Sequence, residues 1–115
     1  MPQNRNKLLD LLIGNLANSI IHKVLEISIS EEIELANKYN KEETNSFTIA
    51  KRYREKVNPI NAPLPEQDAE YIKNQIIKKV KSELMIRISK GYKNIKLDLI
   101  EELTISSMKE LSLIN

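Results

Sequence analysis

The chain has 115 residues, 41% of them apolar, a formal net charge of +2 and no cysteine. That length suits one domain, residues 1–115, with a core of its own, and the lack of cysteine excludes disulfides, thiolate chemistry and Cys-based zinc sites. Two glycines and four prolines are too few for a turn-rich β architecture. Long Ile/Leu segments at helical spacing point instead to an all-α fold, a small helical bundle of about four to five helices. Elongation and completion by dimerisation are further expectations, for the reason given below for its longest helix.

The first residues, 1–5, read as a frayed end, with Asn4 or Asn6 available as a helix cap. Leu9, Ile13, Leu16, Ile20, Val24 and Ile27 then follow helical spacing. Leu8, Leu12 and Ile21 widen that face, so this helix is expected to be well buried. Gly14 lies inside it, at a cost of about 1 kcal/mol relative to Ala. Asp10, Gly14, Asn15 and Asn18 interrupt the apolar run. It therefore reads neither as a signal peptide nor as the ~20 apolar residues that span a bilayer.

Ser28 with Glu31 three residues later matches a capping box, while Leu25, Ile29, Ile33 and Ala36 continue the helical period. Two helices with a kink or short turn near residues 28–30 are expected, a single helix over 6–40 being the alternative. Residues 40–45 are polar and read as a turn. Asn45 or Ser46 then caps a short helix carrying Phe47, Ala50, Tyr53 and Val57. Asn58 before Pro59 ends it. Three prolines within residues 58–65 make a stiff extended crossover.

The strongest helical pattern is residues 66–90. Ala69, Ile72, Ile76, Ile77, Val80, Leu84 and Ile88 fall on one arc. Pro65 suits the first helical position, Glu66, Asp68 and Glu70 suit the positive end of the dipole, and Gly91 suits a left-handed cap. Lys73 and Arg87 fall within the arc, where they either snorkel at the rim or pair with acids on another element or subunit. A helix of that length spans about 37 Å, against a radius of gyration of about 13 Å for a compact 100-residue domain. An elongated bundle or a second copy is thus expected to cover it, with Ile72, Ile76, Val80, Leu84 and Ile88 as the self-association face. After a turn at residues 91–96, a last helix is expected over about residues 97–113. A helix-turn-helix within 99–115, turning at 104–107, fits poorly because only Lys109 is available to read bases.

Catalytic chemistry finds no constellation. His22 is the lone histidine and has no orienting acid in sequence. Glu31, Glu32 and Glu34 lack the Glu-x-x-His pattern of helical carboxylate metal sites. With only Gly14 and Gly91, neither phosphate-binding glycine motif can form. The chain reads as non-enzymatic, cofactor-free and cytoplasmic, with no membrane partner. Charge is the remaining signal: net −2 over residues 1–50, +7 over 51–96 and −3 over 97–115. The first expectation is a self-associating protein–protein interaction module, a homo-oligomer with a dimer favoured. The alternative is a nucleic-acid-binding accessory protein using the basic middle, residues 51–96, or a module for an acidic protein partner. Lys51, Arg52, Arg54, Lys56, Lys78, Lys79 and Lys81 would meet phosphates and Tyr53 would stack on a base.

Overall fold

The computed structural model describes residues 5–29, 31–57 and 64–115. Among them are four α-helices and no strand: α1, Arg5–Ser28; α2, Ile33–Val57; α3, Glu66–Ser89; and α4, Ile100–Glu110, led in by one 3-10 turn at Leu97–Leu99. The small all-α bundle is the one the periodicity predicts. It is elongated, 43 × 26 × 23 Å, because three of its helices run nearly the whole long axis.

The helix at the centre is α1 rather than α3. It packs against α2, α3 and α4, which its composition explains. Leu8, Leu9, Leu12, Ile13, Leu16, Ile20, Ile21, Val24 and Leu25 are all buried, and they cover far more of the helix than one stripe. Contrary to the sequence reading, α1 is long and apolar enough, on average, to cross a membrane. Here 67% of its apolar window is buried inside the bundle, as in any core helix.

α1 and α2 form an antiparallel hairpin. The break between them falls where expected, but not through the predicted capping box. Ser28 Oγ donates back to the Val24 carbonyl at 2.7 Å, and the Glu32 carbonyl receives the Ala36 N–H at 2.9 Å. The turn predicted at residues 40–45 is absent, and α2 runs through it unbroken. That stretch is polar but holds neither Gly nor Pro, and its Lys and Glu residues are good helix formers. α1 also binds this part of α2 directly. Asn18 Nδ2 donates to Ser46 Oγ at 2.6 Å and Ser19 Oγ to the Glu43 carbonyl at 3.1 Å. His22 Nε2 lies 2.5 Å from Glu42.

Lys23 meets both Glu43 and Glu26, each at 3.5 Å. Burial disfavours the Lys23 ammonium, but the two carboxylates outweigh it and raise its pKa. Glu43 is raised too, first by burial, with Lys23 opposing and Glu26 adding repulsion. The two shifts agree once the sharing is noticed: one ammonium serves two acids, so it gains from both while neither acid is fully compensated.

α3 runs parallel to α1, pinned at its start by Arg5 Nη2 to Asp68 Oδ2 at 2.7 Å. Most of the predicted crossover lies outside the described residues. Of its end, Leu64 is buried, and Pro65 sits just before the helix with φ −52°. α3 closes as predicted: Gly91 takes φ +105°, Tyr92 N–H reaches the Arg87 carbonyl and Gly91 N–H that of Ile88, a Schellman motif. The C-terminal helix-turn-helix does not form, since residues 104–107 lie within α4 and Thr104 is buried with its hydroxyl bonded to the Ile100 carbonyl. α4 ends in the same motif as α3, with Ser112 at φ 56° in place of glycine. Leu113 N–H bonds the Met108 carbonyl, and both side chains are 0% exposed.

Candidate functional site

The residues singled out in the sequence divide sharply. Ile72, Ile76, Val80 and Leu84 are fully buried within one chain, and Ile88 is half-buried. They are not a free self-association face. The hydrophobic gain available from them, about 1.5–3 kcal/mol each, is already taken by contact with the chain's own helices. Arg54 is likewise no phosphate contact, being 0% exposed. Its Nε donates to the Leu111 carbonyl at 2.7 Å and its Nη2 to the Ser112 carbonyl at 3.0 Å. It thereby ties the end of α2 to the carbonyls that α4 leaves unpaired. Burial lowers its pKa from the ordinary arginine value. In sequence it is one cation among four within residues 51–56. Only its place on the inner side of α2, in line with Ala50 and Phe47, hints at burial.

Lys51, Arg52 and Lys56 are exposed on α2. Tyr53 is half-buried, with the Lys56 ammonium 5.5 Å from its ring centre. Lys78, Lys79 and Lys81 are exposed on α3. The two groups do not share one cavity: Lys78 and Lys79 line an open groove between α1 and α3, and none of the α2 cations does.

That groove has a volume of about 710 Å³; a larger concavity of about 860 Å³ lies between residues 27–35 and 91–96. On the α1 side its wall is Gly14, Ala17, Asn18 and Ile21, at steps of three, one and three residues that put all four on one helix face. On the α3 side, Gln75, Lys78, Lys79, Ser82 and Ile86 line it. Ile86 is 48% exposed, about two helical turns along α3 from Lys78 and Lys79. A Cβ placed on Gly14 would meet nothing within 4 Å. The glycine therefore serves no close helix crossing inside the chain, and its missing side chain leaves the groove deeper there. Sequence reasoning noticed Gly14 but not the stripe it begins. Its signal was the run of small or short residues on one face of an otherwise bulky apolar helix.

A polar cluster closes the far end of the groove. Arg87 lies 3.4 Å from Glu83, one turn back on α3, without hydrogen-bond geometry, and its guanidinium sits 5.6 Å from the Tyr92 ring centre. Of the two readings for charge on the apolar arc, pairing with another helix fits Lys73, 3.9 Å from Glu101 at the start of α4. Arg87 instead stays at the rim. Tyr39 is raised above the ordinary phenol range, first by burial and then by its hydrogen bond with Tyr92. The Tyr39 and His22 rings meet at 5.8 Å. His22 holds the Asn18 carbonyl at Nδ1, 2.7 Å, and the Glu42 carboxylate at Nε2. Both ring nitrogens are thus engaged in fixing helix register.

Among the described residues, no three His, Asp or Glu side chains converge to hold a metal ion. What the groove offers is shape, an exposed Ile86 and two cations that have no carboxylate partner among the described residues. Compared with protein-family models, with curated proteins and with solved structures, the chain matches none of them.

Proposed function

We propose that the chain is a non-enzymatic protein–protein interaction module whose docking surface is the groove between α1 and α3. One observation carries this reading. The groove leaves Gly14 and Ile86 exposed, with Lys78 and Lys79 on its α3 side and Ala17 and Ile21 buried along its α1 side. A helix laid into such a groove gains from apolar burial and close backbone approach. The lysines at its edge select for carboxylates on the incoming element.

A library of displayed amphipathic helical peptides tests the reading. Selected binders are expected to shift the amide resonances of Gly14, Ala17, Ile21 and Ile86, and Gly14→Leu, which adds a bulky side chain to the groove wall, is expected to abolish binding. Binders that leave those resonances unmoved and bind Gly14→Leu equally well would rule it out.

A second reading, nucleic-acid binding through the basic middle, rests on Lys51, Arg52 and Lys56, which are exposed together near the end of α2. Without Arg54 and without a shared cavity, it has fewer phosphate contacts than the sequence promised. Salt-dependent binding to duplex or single-stranded DNA, lost on replacing those three with Ala, supports it. No binding at low salt ends it.

A further inference from the structure

We infer that the occupant of the groove is a second copy of this chain, docked through the corner between α1 and α2 at residues 31–34. The inference rests on the groove reading above and adds the identity of the partner.

The corner carries what the groove lacks. Ile33 is 71% exposed, the largest exposure of any big apolar side chain among the described residues. Glu31, Glu32 and Glu34 surround it and are all exposed. None of the three carboxylates has an ion-pair partner among the described residues, and neither do Lys78 and Lys79. The dipole at the start of α2 accounts for acids there. It does not account for an isoleucine held in water between them. The groove presents the complement: an exposed Ile86, with buried Ala17 and Ile21 along the opposite wall, and two ammonium groups that have no ion-pair partner among the described residues. One sequence thus holds both halves of a contact that a single copy leaves unmade.

The contact joins two different patches. Reciprocated about a two-fold axis, it occurs twice and closes the assembly at two copies. Each half is small and its charges are solvent-facing, so the association should weaken as salt screens the pairs.

The test uses the full chain in analytical ultracentrifugation over a wide concentration range, at low and high salt. Wild type is expected to form dimers at low salt, with weaker association at high salt. Ile33→Ser is expected to weaken dimerisation about tenfold or more. Lys78→Glu/Lys79→Glu and Glu31→Lys/Glu34→Lys are each expected to be monomeric alone and, when mixed, to form a one-to-one heterodimer, because the swap restores both contacts in the mixed pair only. All five substituted positions are exposed, and circular dichroism checks that each variant keeps wild-type helicity. A wild type that stays monomeric at every concentration overturns the inference. So does a dimer that survives both charge-reversed variants, or a mixture that fails to assemble. In each of those cases peptide binding in the groove, measured separately, still decides the groove reading.

Discussion

The two flanks of α1 are built differently. Toward α2, the helix is joined by a ladder of polar bonds, Asn18 to Ser46, Ser19 to Glu43 and His22 to Glu42, laid over apolar contact. Toward α3, the described link is an apolar ridge, with Arg5 to Asp68 holding only its start. Apolar burial is non-directional and holds α3 in place without filling the space above it. Hydrogen bonds between fixed partners also set register. The hydrogen-bonded flank is therefore where the fold is specified, and the open flank is where the proposed docking groove lies.

The harshest way to break that contrast is to charge the ridge. Ile76→Asp places a carboxyl where the side chain is 0% exposed; whether it stays charged or takes up a proton, lost apolar burial and unmet polar groups cost a large part of the ~5–15 kcal/mol a domain usually has. Loss of the cooperative thermal transition in circular dichroism is expected; retention of wild-type stability would contradict the burial. Next is Arg54→Ala, which strips the carbonyls of Leu111 and Ser112 of their charged donor and leaves a cavity. A loss of about 3 kcal/mol is expected in urea unfolding. A loss under about 1 kcal/mol would mean that this link is unimportant.

The open flank behaves oppositely. Gly14→Ala meets nothing in the chain and is expected to stabilise the monomer by about 0.5–1 kcal/mol. Destabilisation on the same measurement would show that the groove is not open there.

The smallest effect concerns pH on the hydrogen-bonded flank. Glu43 has a folded-state pKa raised above its ordinary 4.5. Its contribution is therefore most favourable below that ordinary value and is lost as pH rises through the raised one. Lys23, also raised from 10.5, keeps its contribution through neutral pH and loses it only above 10.5. The stability of wild type relative to Glu43→Gln should accordingly fall as pH climbs from about 4 through the raised carboxylate range, then level off. The fall is modest, because solvent reaches the pair. A rise over that window would reverse the assignment.

Some of this was readable from residues alone. The arc of Ile72, Ile76, Val80 and Leu84 and the Gly91 cap each follow from a local rule, spacing of three and four and φ > 0 at glycine; the break after α1 falls where expected, though the capping box that suggested it does not form. The failures were of one kind. Residues 40–45 look like a turn by composition, yet bonds from α1 hold them helical. Arg54 looks like a surface cation, yet the end of α4 needs its donors. Residues 104–107 look like a turn, yet Thr104 packs inside a helix. In each case a partner more than 20 residues away, or burial itself, overrode local preference.

The sequence by itself determined that this chain is helical, roughly where three of its helices begin and end, and which isoleucines and leucines avoid water. Those properties depend on neighbours within one or two turns. Tertiary structure alone decided that α1 is the hub, that the ridge of α3 is used within one chain, and that Lys78 and Lys79 border a groove while Arg54 does not face solvent. Helical periodicity says which residues share a face; only packing says what covers that face and which face is left bare.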